Sequence, residues 1–260
     1  MKTSIFRFYA ELNDFLPTGK RQRNISYDFY GNPPVKDAIE SLGVPHTEVD
    51  LLLLNGRSVD FTHRLHRDDR VAVYPVFESL NIAPLLRVRE RPLRRTVFVA
   101  DVHLGKLARL LRLLGFDVSY SSHHTDTEIV AASVDEGRII LTRDRGLLKK
   151  NIVTHGYWVR STQPLEQARE ILQRFDLFAE VRPFSRCLVC NGLLAPVDKE
   201  VVRDRIPPKV AAWREEYFIC QNCHKLYWRG THHPRLQNMI ESILGTDADN
   251  SPREAGRSDS

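Results

Sequence analysis

Four cysteines fall in two pairs, Cys187-Leu-Val-Cys190 and Cys220-Gln-Asn-Cys223, and the chain has no others. Two CxxC knuckles present four thiolates, a ligand set that suits the tetrahedral preference of Zn2+. Such a site has no open coordination position, so its task is to hold a small domain together. Two disulfides compete with this reading but are disfavoured in a cytosolic chain, and a redox CxxC does not explain two knuckles. The knuckles are further apart than the usual ribbon spacing of roughly 15 to 20 residues. VDKEVVRDRIPPKVAAWREE therefore reads as an insertion between them.

A second chemistry rests on carboxylates. Asp101 ends the run TVFVAD, and Asp144 follows RIILT, flanked by Arg143 and Arg145. Both runs are short, apolar and without alternation, as expected of strands in a parallel sheet covered on both faces. The acids then lie just past the carboxyl ends of their strands, the edge at which open α/β sheets bind ligands. Asp126 stands in Thr125-Asp126-Thr127-Glu128, a capping box with Thr125 as N-cap. The box explains Glu128. Asp126 either serves the helix dipole or joins the other two acids. Three carboxylates at one edge repel one another, and divalent cations are what usually stabilise such a cluster.

The elements that position these acids follow from periodicity. Over residues 96–183, TVFVAD, FDVSY, RIILTRD and YWVRS read as strands. They alternate with helices over LGKLARLLRLLG, HTDTEIVAASVDEG and PLEQAREILQRF. Gly115 and Gly137 suit the ends of the first two helices, and Pro164 the first turn of the third. Strand and helix in alternation predict an α/β fold with a parallel sheet and right-handed crossovers, placing Asp101 and Asp144 on one edge. Residues 1–80 read as strand SIFRFYAEL, helix VKDAIESLG ending on Gly43, and strands in VDLLLLNGRSV and DDRVAVYPV, a small α+β domain. Residues 81–95 include LLRVRERPLRR, whose five arginines mark a basic linker or strap. Residues 184–236 form the ribbon. Residues 237–260 are the end of a helix and a tail, GTDADNSPREAGRSDS, expected to be disordered for want of apolar residues.

Net charge +5 and a pI near 9.1 permit a polyanionic partner. Lys106, Arg109 and Arg112 recur every third residue of a helix as a basic stripe, and Arg143 and Arg145 flank Asp144; all five are candidate phosphate contacts. A solvated helix face is the plain alternative for the stripe. Tyr217, Phe218, Tyr227, Trp228, Arg229, His232 and His233 cluster near the second knuckle, where Trp228 and Arg229 are candidates to stack a base and touch the backbone. Small zinc domains also need aromatics as core. His103, His123 and His124 read as local polar groups of the acidic edge. No apolar run approaches the roughly 18 to 20 residues of a membrane span. MKTSIFRFYAELND lacks the marks of a signal peptide, so the expected location is cytoplasmic.

The first domain resembles a β-grasp, ubiquitin-like fold of the sulfur-carrier type, with an Asn-Gly turn before a closing strand that ends in Pro75. Sulfur carriers end in a free Gly-Gly, whereas VYPVFESLN continues, which leaves a docking or substrate-orienting role. VADVHLGKLARLLRLLGFDVSY, TDTEIV and EGRIILTRDRGLL resemble the C-terminal RNase domain family named after the exonuclease Mut-7, a branch of the PIN-like nucleases. The zinc knuckles followed by LYWRGTHHPRL match that family's appended ribbon, and the ubiquitin-like domain fits its bacterial members. The resemblance runs to about Leu236. It implies a PIN-like domain preceded by a β-grasp domain and followed by a zinc ribbon. It implies acidic positions at Asp101, Asp126 and Asp144, and hydrolysis of RNA phosphodiesters with Mg2+ or Mn2+. PIN nucleases often carry a fourth acid near the next strand; YWVRSTQ has none. Two further readings stay open: an RNA-binding protein, with tRNA or another structured RNA as partner, that cleaves weakly or not at all, and a protein-interaction adaptor acting through the ubiquitin-like domain and the ribbon.

Overall fold

The computed structural model describes residues 1–75 and 96–245. The expectations for the basic linker and the disordered tail fall outside these residues.

The amino-terminal sheet is built from β1 (Lys2–Phe8), β2 (Ile25–Phe29), β3 (Leu51–Leu54), β4 (Arg57–Ser58) and β5 (Arg70–Tyr74). Their order is β2-β1-β5-β3-β4, with β1 and β5 parallel and the other pairs antiparallel. In β1, Ser4, Phe6 and Phe8 point inward and their neighbours do not, the period-2 pattern of a strand with one covered face. Helix α1 (Val35–Ser41) covers that face with Val35, Ala38 and Ile39. Asn55 and Gly56, at φ +50° and +82°, form the two-residue hairpin between β3 and β4. This is a β-grasp. Its β2, ISYDF, absent from the expected elements, alternates apolar and polar residues, with Ile25 and Phe29 buried and Ser26 and Asp28 exposed.

The central sheet contains β6 (Phe98–Ala100), β7 (Val118–Ser119), β8 (Ile139–Thr142) and β9 (Gly156–Trp158), all parallel, in the order β7-β6-β8-β9. Helix α2 (Gly105–Leu113) follows β6, and α3 (Asp126–Glu136) follows β7. The single turn α4 (Arg145–Leu148) follows β8, and α5 (Pro164–Arg174) follows β9. Phe98, Ala100, Ile139 and Leu141 face the layer of α2 and α5. Val99 and Ile140 face α3 and α4 through Ile129, Val130, Leu147 and Leu148. Both faces are covered, which is why these strands read as unbroken apolar runs. Gly115 ends α2 at φ +101°, where an added Cβ would lie 2.3 Å from the Arg182 carbonyl oxygen.

The ribbon is a three-stranded antiparallel sheet of β10 (Leu194–Val197), β11 (Tyr217–Cys220) and β12 (Leu226–Trp228), in that order. The insertion folds as a 3-10 turn over Lys199–Arg205 and a short α6 (Pro208–Ala211). Its Val202 and Ile206 bury against Tyr217, so the ribbon has an apolar core of its own. Helix α7 (His233–Leu244) leaves the ribbon and buries Ile240 and Ile243 in the central core beside α5. Arg169 of α5 donates to the carbonyls of Ser242 and Ile243, where a cation also complements the helix dipole. The ending of this helix is thus part of the central domain's packing. Among the described residues, no helix is long and apolar enough to cross a membrane.

Candidate functional site

In the central sheet the winding reverses between β6 and β8, the first and third strands of that domain. Such a switch point opens a crevice beyond the carboxyl ends of the two strands. Asp101 directly follows β6 and Asp144 lies two residues past β8, so they flank it. Thr142 ties them together. Its buried hydroxyl donates to Asp101 Oδ2 at 2.6 Å and accepts from the Asp144 backbone N–H at 2.9 Å. Asp101 is 7% exposed and also accepts from the backbone N–H of His103. Among the described residues no lysine or arginine pairs with it, so a buried carboxylate has only neutral donors. Asp144 is exposed and caps α4 by accepting from Gly146 N–H at 2.7 Å.

Asp126 occupies the first position of α3, above the same edge, and Lys150 Nζ lies 3.3 Å from its Oδ2. The capping box of Thr125 and Glu128 is present in both directions. Bonds from the Thr125 backbone N–H and hydroxyl hold the Glu128 carboxyl below its ordinary pKa. The three aspartates are not drawn into one tight group: among the described residues only the cysteines gather three or more ligating atoms closely. The next strand does have an acid nearby, supplied from α5. Glu170 accepts from Tyr157 Oη, Arg160 N–H and Ser161 N–H at 2.8 to 3.0 Å, so its lone pairs are spent on shaping the loop after β9.

The basic candidates separate. Lys106 and Arg109 are exposed on α2, as expected of a phosphate-facing stripe. Arg112 departs from it: 4% exposed, it donates from Nε and Nη2 to the Val118 carbonyl and from Nη1 to those of Leu188 and Val189. Burial lowers its pKa, opposed by the charges of Cys187, Cys190 and Asp117. Each three-residue step falls about a sixth of a turn short of a full helical turn, so from Lys106 to Arg112 the direction drifts by about a third of a turn, enough to carry the last member toward the core. Arg143 also differs from expectation, because its Nη1 is held by the carbonyls of Val159, Arg160 and Ser161. Arg145 turns away from the acidic edge and packs its guanidinium over the rings of Phe15 and Trp158, at 5.0 and 4.1 Å. In the ribbon, Tyr217 is buried and Trp228 packs half-buried on the same core. Arg229 is exposed, 3.9 Å from Glu216. His233 stacks on Phe184 at 4.7 Å, and Phe218 faces neither core.

The four cysteine sulfurs lie within 4.8 Å of one another. Cys187 and Cys223 are 3.6 Å apart and Cys190 and Cys220 3.4 Å. Tetrahedral Zn–S bonds of about 2.3 Å require S···S separations of roughly 3.8 Å, so the knuckles fit the ion. Backbone N–H groups of Cys190, Asn222 and Cys223 point at sulfur. Burial disfavours a Cys187 thiolate, but the Tyr227 hydroxyl at 3.0 Å and nearby backbone N–H groups outweigh it and hold the thiol below its ordinary pKa. The cluster can bind a structural metal such as zinc. Asp117 joins the ribbon to the sheet: Arg138, Arg186 and Asn191 surround its carboxylate at 2.6, 3.3 and 2.8 Å. Burial opposes its ionisation, yet these partners keep its pKa below the ordinary value.

Three residues with a part in the site were not singled out from sequence. Thr142 could have been noticed, because a Thr two residues before a candidate ligand is a common local partner. Lys150 and Glu170 act across sequence separations that no periodicity reveals.

A doubly wound parallel sheet with acids at its switch point, preceded by a β-grasp domain and followed by a four-cysteine ribbon, is a PIN-like architecture. The sequence signature described as Mut7-C RNAse domain matches residues 96–240, and that described as Mut7-C ubiquitin matches residues 1–81. The chain belongs to the Mut7-C RNAse domain family. Two solved structures of small archaeal modifier protein 1 from Haloferax volcanii are similar to part of it. One is 19% identical and covers 29% of this chain and 98% of its own, with a TM-score of 0.24. The other is 20% identical and covers 30% and 99%, with a TM-score of 0.25. Comparison with curated proteins finds no match. Family membership supports a nuclease or RNA-related role, and the ubiquitin-like domain supports interaction with protein.

Proposed function

We propose that this protein is a ribonuclease that hydrolyses RNA phosphodiesters with Mg2+ or Mn2+ held at the switch point. The observation that carries the reading is the Asp101–Thr142–Asp144 chain: two carboxylates at one crevice, one of them buried with no counter-cation among the described residues, in a member of an RNAse family. Asp101 and Asp144 are the ligands best placed to hold a hard cation, which takes oxygen donors and keeps several waters, and Asp126 reaches it through such a water. The ion supplies Lewis-acid stabilisation of the phosphate and activation of the attacking water. Thr142, by donating to Asp101 Oδ2, fixes the carboxylate plane and leaves its other lone pairs for the ion. Lys106 and Arg109 lie on the helix that starts at this edge and receive flanking phosphates; Trp228 and Arg229 offer a secondary contact. Zinc holds the ribbon.

A second reading, RNA binding without efficient cleavage, with tRNA among the candidate partners, is favoured by one observation. Asp126 already has Lys150 as its counter-ion, and Glu170 is committed to backbone donors. Labelled RNA incubated with the full chain under Mg2+, Mn2+ or EDTA separates the two. The nuclease cuts only with metal and loses orders of magnitude on Asp144→Asn. Salt-sensitive binding without cleavage under either ion overturns the proposal in favour of the binder, and cleavage unchanged by Asp144→Asn overturns the site.

A further inference from the structure

The segment that carries Asp144 has little means of holding its own shape. Helix α4 is one turn, far below the length at which a helix is stable alone. Leu147 and Leu148 fasten its inner side to the core, but its other side meets the β-grasp domain. Lys149 Nζ donates to the Glu40 carbonyl oxygen at 2.9 Å. His46, 6% exposed, donates from Nε2 to the Val153 carbonyl oxygen at 2.7 Å, while its Nδ1 is 2.6 Å from Glu40 Oε1. Arg145 packs its guanidinium over the rings of both Phe15 and Trp158. Strand β9 is the edge of the central sheet, and Glu48, fully buried, accepts from its Trp158 N–H at 2.5 Å. Glu48 Oε2 lies 3.6 Å from Arg160, whose Nε reaches Asp14 at 3.0 Å.

These bonds come from the end of α1, the 3-10 turn His46–Glu48 that follows it, and Asp14 and Phe15. All land between Arg145 and Arg160, the stretch that begins one residue after Asp144. Nothing comparable is needed for docking alone, since Phe15 and Trp158 already make an apolar contact at 5.0 Å. We infer that the ubiquitin-like domain is an intramolecular brace for the metal-binding edge, with His46 and Glu40 as positioning residues that hold the Asp144 segment through Val153 and Lys149. The inference rests on the reading of Asp144 as a metal ligand. It assigns the β-grasp domain a task within its own chain: whatever binds that domain at His46 or Glu40 must loosen the acidic edge.

The test is Mn2+ titration of the full chain, with hydrogen exchange at residues 143–153, for wild type, Asp144→Asn, His46→Leu, His46→Gln and Lys149→Met, well below the melting temperature. The brace predicts that His46→Leu weakens Mn2+ binding about fivefold, since losing a hydrogen bond typically costs about 1 kcal/mol. It also predicts faster exchange confined to 143–153. His46→Gln, which keeps a donor near the Nε2 position, recovers most of the affinity. A purely structural role lowers stability without moving Mn2+ affinity, and that result overturns the inference. If His46→Leu does not fold, Lys149→Met, which keeps the apolar stem and loses only the Glu40 bond, must show the same two effects in smaller measure or the inference fails. Asp144→Asn keeps the two readings apart: unchanged Mn2+ affinity there removes the metal site itself, whereas lost affinity there with unchanged affinity in the His46 and Lys149 variants removes only the brace.

Discussion

Arg112→Met removes a buried guanidinium while keeping most of its apolar stem. The wild-type group makes four hydrogen bonds to three carbonyls, at 3.0 and 2.8 Å to Val118 and 3.4 and 2.8 Å to Leu188 and Val189. Bonds from a charged donor contribute about 1.5 to 3 kcal/mol each, and an orphaned buried carbonyl costs about 1 to 3 kcal/mol. The terms are not additive: two bonds share one acceptor, and Leu188 and Val189 sit at a knuckle that water can reach. Burial of the cation also carries a cost that Met escapes. The expected loss is about 3 kcal/mol, among the larger single-residue effects. Because the lost bonds join β7 to the first zinc knuckle, a chelator should also extract metal faster. Urea unfolding followed by tryptophan fluorescence, with a chromogenic chelator reporting zinc release, measures both. Arg109→Met, on the exposed face of the same helix, should change stability by less than about 0.5 kcal/mol while weakening RNA binding. The reverse pattern, stable Arg112→Met with weakened RNA binding and destabilised Arg109→Met, would refute the structural assignment of Arg112.

The other expectations concern charge, metal and backbone. Burial raises the Glu48 pKa above the ordinary value, with Arg160 and Arg174 opposing it. Its contribution to stability is therefore full below the ordinary carboxylate range and is lost as pH rises through the raised folded value. Glu48→Gln keeps the acceptor for Trp158 N–H and does not titrate, so its stability relative to wild type should improve with rising pH; a relative decline contradicts the burial argument. Cys220→Ser should reduce bound zinc from about one per chain and unfold the ribbon while the central sheet persists, which metal analysis and hydrogen exchange together reveal. Gly115→Ala places a Cβ 2.3 Å from the Arg182 carbonyl at φ +101°. A loss above about 1 kcal/mol is expected from conformation alone, with the clash adding to it, and calorimetry showing no change would mean the loop at Arg182 yields freely.

Local pattern carried much of this structure. The runs VFVA and IILT, the capping box at Thr125 and the glycines at 115 and 137 each encode an element in a few contiguous residues, and the order of elements gives a parallel sheet. The same order puts Asp101 and Asp144 past strand ends, because a parallel strand always finishes at the edge from which its helix departs. The two CxxC knuckles are equally local, since each supplies two ligands from one turn. What tertiary structure decided was the partner of the long polar side chains that bond across elements. Arg112 lies on a helix surface by sequence, yet the ribbon, more than seventy residues later, folds over it and takes its bonds. Arg145 stands beside a candidate metal ligand by sequence, yet its guanidinium is claimed by Phe15 of another domain. Asp126 finds Lys150, and Glu48 finds the edge of β9, across separations at which the chain has no periodic memory. Backbone geometry is fixed by neighbours a few residues away, but a flexible charged side chain goes wherever folding brings an acceptor within reach.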